Sequence, residues 1–204
     1  MKVNIPHLIY CQILILFLHL QKLKIQFLGQ RELRYLLFKF NLANIDLLRK
    51  DMHMSLNIGD QIPEFELYNH DKTKYSDKDF LGQKTMFVFM PFPFSSVCDK
   101  EICELRDYQE SFIKEDTNTV LVTVGASPTN RAWAAHYNIE FPILSDFWPH
   151  GEAAKKFGCF HDGAGISLRY TFITNEENVI TEIIKSDEIG VERDFSEYSE
   201  SFGI

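Results

Sequence analysis

Four cysteines in 204 residues are too few for the disulfide scaffold of a small secreted protein. A reducing, cytoplasmic compartment follows as the default, and any disulfide is expected to be transient and catalytic. Glycine and proline are scarce, at ten and seven, and there is neither a low-complexity tract nor an internal repeat. The apolar run "LIYCQILILFLHL" (8–20) is broken by Gln12 and His19. It falls short of the roughly 20 apolar residues that a spanning helix needs. Basic charge is scarce beyond the first quarter of the chain. Residues 1–54 hold eight Lys/Arg against three Asp/Glu, a net of +5, and the remainder thirteen against twenty-six, a net of −13. So acidic a body lacks the electrostatic footprint of a nucleic-acid-binding protein.

The first fifty-odd residues stand apart from the rest. Lys2 ahead of the apolar run fits a secretory signal in part, but no small-x-small cleavage site follows directly. The next stretch, "QKLKIQFLGQRELRYLLFKF", is basic and amphipathic and suits an anionic membrane surface. Met52 and Met54 stand just before "SLNIGDQIPEFEL", the natural start of a domain. A misplaced start codon, a leader, a peripheral membrane segment and a cleaved targeting sequence all stay open for residues 1–54. A second region, 55–204, forms the folded body.

There, strand and helix signals alternate. "PEFEL" (63–67) reads as a short strand followed by the turn-rich "NHDKTKYSDKD". "KTMFVFM" (84–90) is a nearly continuous apolar run, the pattern of a strand buried on both faces, and Pro91 and Pro93 end it. "SSVCDKEICELRDYQESFIKE" reads as a helix, with Ser95 and Ser96 as N-cap candidates and Val97, Leu105 and Phe112 at helical spacing. A buried strand over 119–125 and a helix over 127–137, with serine capping and proline at its start, come next. A helix over 151–158 and strands at "LRYTFIT" and "VITEII" around the turn 175–178 complete the pattern. The acidic end, "SDEIGVERDFSEYSESFGI", reads as a solvated helix or tail. The fold class is α/β, with a central mixed sheet flanked by helices.

The chemistry concentrates in "PFPFSSVCDKEIC" (91–103). Cys98 and Cys103 could both be small apolar core residues, since free cysteine is among the most buried types. Alternatively, Cys98 is a nucleophile and Cys103 the thiol that reacts with it next. Cys98 falls in the first turn of a helix that directly follows a buried strand, where α/β proteins bind ligands. Unsatisfied N–H groups at a helix N-terminus favour a thiolate. A thiol lowered from ~8.5 to ~6 gains only about thirtyfold in thiolate at neutral pH, and loses part of that in nucleophilicity. A fast thiol enzyme therefore also needs donors aimed at the atom where charge develops.

The spacing Pro91-x-x-x-Ser95-x-x-Cys98 resembles the active-site signature of the peroxiredoxins, the alkyl hydroperoxide reductase and thiol-specific antioxidant family. Glu101, three residues past the cysteine, "LNIGDQIPEFEL", "FPILSDFWPHGEAAKKFG" and "AGISLRYTFIT" extend the resemblance over about residues 55–185. "SDFWPHG" is most similar to the alkyl hydroperoxide reductase E type. The resemblance implies a thioredoxin-like fold and a peroxidase acting on hydrogen peroxide or organic hydroperoxides. Its reductant would be a thioredoxin-like protein or a low-molecular-weight thiol, its assembly a homodimer, and no metal, haem or flavin is implied. By position it makes Cys98 the attacking sulfur and Ser95 a hydroxyl relay. Arg169 would hold thiolate and substrate oxygen, and Pro91 would shield the sulfur from water. A surface ion pair is the plainer reading of Arg169, and helix capping that of Ser95.

The E type typically has no partner cysteine, whereas Cys-x-x-x-x-Cys is the pattern that the peroxiredoxin Q type uses for an intramolecular disulfide. On an intact helix five residues rise ~7.5 Å and turn about 140°, while a disulfide wants its Cα atoms within ~4.4–6.8 Å. A Cys98–Cys103 bond therefore requires unwinding of roughly residues 96–104. Cys159 is a second candidate partner, across a dimer, and Cys11 carries no signal. A zinc site from Cys98, Cys103, Cys159 and His161 fits by ligand type but lacks the paired short spacing. Two rival functions remain. A redox sensor or chaperone-like binding protein on the same fold would keep the reactive cysteine but turn over poorly. A thiol–disulfide oxidoreductase would normally carry Cys-x-x-Cys, which is absent.

Overall fold

In the computed structural model, which describes residues 56–203, nine strands and five helices alternate along the chain among the described residues. They are β1 (Glu66–Asn69), β2 (Lys74–Ser76), β3 (Lys84–Met90), α1 (Ser96–Asp107), α2 (Gln109–Lys114), β4 (Thr117–Thr123), α3 (Ser127–Tyr137) and β5 (Ile143–Ser145). Then follow α4 (Glu152–Lys156), β6 (Phe160–His161), β7 (Ile166–Ser167), β8 (Arg169–Thr174), β9 (Ile180–Ser186) and α5 (Phe195–Phe202). The described residues fall within one compact unit, His53–Ile204. The readings of residues 1–54 and of Cys11 lie outside the described residues. No described helix is long and apolar enough to cross a membrane.

Seven strands form one mixed sheet in the order β2-β1-β5-β4-β3-β8-β9. Strands β3, β4 and β5 are parallel neighbours joined through helices, while β8 and β9 add antiparallel at one side and β1 and β2 at the other. Alternation along β3 sorts the core into two layers. Met86, Val88 and Met90 pack with Leu121, Ile143 and Ile173 under α1, α2, α3 and α5. Phe87 and Phe89 point the other way, toward Phe65, Phe80, Phe157 and Phe172, with α4 beyond them. The rings of Phe80 and Phe87 meet edge-on at 5.0 Å, and each such ring, once buried, contributes on the order of 1.5–3 kcal/mol.

Strand β3 and helix α3 fall where the residue pattern puts them, and several other elements differ. The strand expected at 63–67 begins only at Glu66. Before it, Ile62 N bonds to Asn178 O and Gln61 bridges Val179, so that stretch is tied to the turn after β8 rather than to the sheet interior. Strand β2 sits inside the stretch read as turn. Asn69 Oδ1 accepts from Asp71 N and Thr73 N, closing a tight connection that folds Lys74–Ser76 back on β1. The helix read through residue 115 breaks at Tyr108, whose backbone (φ −98, ψ 3) divides α1 from α2. Helix α3 is capped by Ala126 in position, not by a serine side chain. The acidic C-terminal segment is not merely solvated: Phe195, Tyr198 and Phe202 form one face of α5, and Tyr198 and Phe202 are buried against Phe112.

This topology assembles the site. Strands β3 and β4 end side by side, with Met90 opposite Thr123. Strand β8 runs antiparallel to β3, with Thr171 opposite Val88. Its first residue, Arg169, therefore reaches the end where β3 finishes. Gly125, just past β4, allows the loop before α1 to press close. A Cβ there would lie 2.7 Å from Pro93 Cδ and 2.5 Å from Asn130 Oδ1.

Candidate active site

Proline cannot extend the β3 ladder, so the chain leaves the sheet at Pro91 and turns through Pro93, both buried, and Phe94, which adopts φ +60. The carbonyl of Pro91 accepts from Thr123 Oγ1 at 3.2 Å, which ties the loop to β4. Helix α1 then begins at Ser96 and carries Cys98 in its first turn, fully buried.

Opposite Cys98 stands Arg169. Its Nη1 donates to Cys98 Sγ at 3.2 Å and also to Glu101 Oε2, one turn farther along α1. Glu101 Oε1 accepts from Arg193 N at 3.1 Å and lies 3.2 Å from Arg193 Nη2, while Arg193 Nη1 donates to Phe89 O at 2.9 Å. Arg169, Glu101 and Arg193 are each about 4% exposed. The plainer reading of Arg169, a surface ion pair, therefore does not hold. Two guanidiniums against one carboxylate leave a buried surplus of one positive charge, and an uncompensated buried charge is costly. A thiolate at Cys98 would neutralise it.

Two further polar atoms beside this cluster are buried and without a hydrogen-bond partner: Ser95 Oγ and Arg169 Nε. Ser95 occupies the N-cap position of α1, but its side chain makes no capping bond. The structure leaves its hydroxyl free and does not bond it to Cys98. Unspent donors in a buried position fit an oxygen-rich ligand, because leaving them unmatched costs about 1–3 kcal/mol each.

The remaining candidates fall at different distances from this centre. Cys103 shares the unbroken helix α1 with Cys98 and is partly buried against the same core layer. Burial pushes its thiol up, with Arg106 opposing the shift and Asp107 and Asp99 adding to it. Cys159 is fully buried in the other core layer, on the far face of the sheet from Cys98. Burial raises its thiol well above the ordinary range, and the nearby Asp146 carboxylate adds to that. The structure therefore does not bring Cys159 to Cys98 within one chain. The zinc constellation is not assembled either: no group of three or more His, Cys, Asp or Glu among the described residues is placed to hold a metal ion.

Arg193 was not legible as a site residue. The only signal was its place as the lone cation in the acidic segment 186–204. Glu101 was noted from the sequence without a role; its position between two arginines supplies one.

Comparison with known proteins points the same way. The AhpC/TSA family model matches residues 58–183. Alkyl hydroperoxide reductase E of Mycobacterium tuberculosis is 35% identical over 126 residues, which cover 61% of this chain and 82% of that protein. The chloroplastic 2-Cys peroxiredoxin BAS1 of Spinacia oleracea is 28% identical over 134 residues, covering 60% of this chain and 50% of that one. Among solved structures, Enterococcus faecalis AhpC superposes with a TM-score of 0.65 at 25% identity, over 74% of this chain and 92% of that chain.

Proposed function

The chain belongs to the AhpC/TSA family, and on that footing we propose that it is a thiol-dependent peroxidase that reduces hydrogen peroxide or organic hydroperoxides through Cys98. The observation that carries the assignment is the buried contact of Cys98 Sγ with Arg169 Nη1 at 3.2 Å, inside a cluster whose charge a thiolate balances.

In the proposed reaction the Cys98 thiolate attacks one peroxide oxygen. The O–O bond breaks, and sulfur gives up two electrons to become sulfenic acid. The other oxygen leaves as alkoxide or hydroxide and takes a proton to form alcohol or water. Negative charge moves from sulfur onto that leaving oxygen, so fixed donors there lower the barrier. Arg169, always charged and offering several donors in one plane, meets the requirement, and its Nε is unspent. The unpartnered Ser95 hydroxyl accepts from the incoming peroxide and donates onward as charge shifts. Pro91, buried above the strand end, keeps bulk water from the sulfur.

Regeneration uses thiols. Cys103 condenses with the sulfenic acid, forming the S–S bond and releasing water, and an external dithiol, or two molecules of a monothiol, then reduces the disulfide and is itself oxidised to a disulfide. A thioredoxin-like protein or a small thiol fills that role, which suits a reducing, cytoplasmic setting. A homodimer is the proposed assembly; aromatic side chains left exposed in the loops before α1 and α4, Phe92, Phe94, Phe147 and Trp148, support it.

The test is steady-state peroxide consumption with dithiothreitol as reductant, for the full chain and its Cys98→Ser variant. Many turnovers in the parent and none in the variant are expected. Consumption that stops at one equivalent would be the behaviour of a sensor, and turnover by Cys98→Ser would remove the role given to Cys98.

A further inference from the structure

Helix α1 is gripped from two flanks, and the grips differ in kind. On one flank Asp99, the residue after Cys98, accepts a hydrogen bond from Trp133 Nε1 of α3 at 2.7 Å. Trp133 is fully buried in the core layer that also holds Cys98. Tyr137, one helical turn on from Trp133, presents its hydroxyl to the same carboxylate; burial, and then Asp99, raise it. On the other flank Lys100 Nζ meets Glu192 at 2.7 and 2.8 Å, with both side chains about half exposed. One residue further, Glu101 anchors α1 to Arg169 and Arg193.

A Cys98–Cys103 bond cannot form while the first turn of α1 is wound. Cys98 cannot swing out without carrying Asp99 away from Trp133. Parting Lys100 from Glu192 returns two already hydrated charges to water and costs little. Breaking a bond between a carboxylate and a buried indole N–H is different, because the indole keeps an unmatched donor in the core. The Asp99 bond lies nearer the N-terminus of α1 than the Glu101 cluster, two residues further in, so it is the first of the buried grips to part as the segment unwinds.

We infer that the Asp99–Trp133 hydrogen bond is a latch on the first turn of α1, and that Trp133 is a positioning residue which sets how fast Cys103 reaches the oxidised Cys98. The latch holds Cys98 against Arg169 while peroxide reacts. It must open before the sulfenic acid and the Cys103 thiol condense, with loss of water, to the disulfide. This rests on the reading of Cys98 and Cys103 as the reacting pair.

The experiment mixes the full reduced chain rapidly with one equivalent of hydrogen peroxide, quenches with a thiol-alkylating reagent and follows intact mass. Sulfenic acid appears as one added oxygen and the intrachain disulfide as two lost hydrogens, so oxidation and resolution are read separately. Trp133→Phe, which keeps the ring and removes the donor, is expected to speed disulfide formation about tenfold, as loss of a charge-assisted bond implies. Asp99→Asn, which keeps a neutral acceptor, is expected to fall between, at about threefold. Glu192→Gln should stay within about twofold of the parent. A purely structural role for Trp133 would not produce a gain. Equal resolution rates in the parent, Trp133→Phe and Asp99→Asn would overturn the latch and leave the two-cysteine reading standing. Absence of the disulfide from every protein, with one oxygen gained instead, would overturn both. Should Trp133→Phe fail to fold, Asp99→Asn against the parent decides alone.

Discussion

Replacing Glu101 with glutamine should be among the most destabilising single changes in this protein that leave its apolar core untouched. The carboxylate is 4% exposed and sits between Arg169 and Arg193, which are equally buried. The amide that replaces it still offers an oxygen to Arg193 N but no charge, so two guanidiniums are left facing each other in the interior. Removing one partner of a buried ion pair costs about 3–5 kcal/mol, against a total stability on the order of 5–15 kcal/mol for a domain. With a urea slope of roughly 2 kcal/mol/M, the midpoint should fall by about 2 M. The Lys100–Glu192 pair supplies the comparison, because both groups are about half exposed and such pairs are worth at most about 1 kcal/mol. Glu192→Gln should therefore move the midpoint by less than about 0.5 M. Equilibrium urea unfolding by circular dichroism, at neutral pH with reductant present, measures both. If Glu101→Gln shifted the midpoint no more than Glu192→Gln does, the buried-charge account of this site would be wrong.

Other parts of the molecule carry their own tests. Asp146 is almost wholly buried, with its carboxylate held by Ala153 N at 3.0 Å and Ala154 N at 2.9 Å, and burial raises it from 3.8 to about 6. The folded chain thus holds this proton more tightly than the unfolded chain does. The contribution is full below about pH 4 and is lost as the pH rises through 6, a fall of about 3 kcal/mol. In urea titrations between pH 4 and 7, Asp146→Asn should lack that component, and an unchanged pH dependence would contradict it. Gly125→Ala places a Cβ against Pro93 and Asn130. It should cost about 1–3 kcal/mol in unfolding experiments and slow Cys98 oxidation by shifting the loop. Arg169→Lys loses the planar fork and should slow the reaction with peroxide about 100-fold or more in stopped-flow measurements.

The parts of the fold that were legible in the sequence are those whose own residues determine them. The nearly continuous apolar run within Lys84–Met90 has the pattern of a strand buried on both faces, and the prolines after it fixed where it ended. These two facts place Cys98 in the first turn of the helix that follows, while its role as the attacking sulfur is what the family resemblance implies. Strands β2, β6 and β7, of two or three residues each, are too short for any periodicity and exist because a neighbouring strand pairs with them. The buried face of α5 was masked by the glutamates between Phe195, Tyr198 and Phe202. Arg193 was out of reach for another reason: its partner Glu101 lies 92 residues away in sequence, and local pattern holds no trace of such a pairing. Cys159 was readable only as a second candidate partner, because its burial on the far face of the sheet from Cys98 depends on the packing of α4.

The most direct test of the central claim, that Cys98 is the sulfur which reduces peroxide, is the product of a single turnover. The full chain and its Cys103→Ser variant are each treated with one equivalent of hydrogen peroxide and read by intact mass with peptide mapping. The account predicts a Cys98–Cys103 disulfide in the parent and one added oxygen, at Cys98, in the variant. Peroxide left unconsumed with Cys98 still a free thiol in both proteins would contradict it.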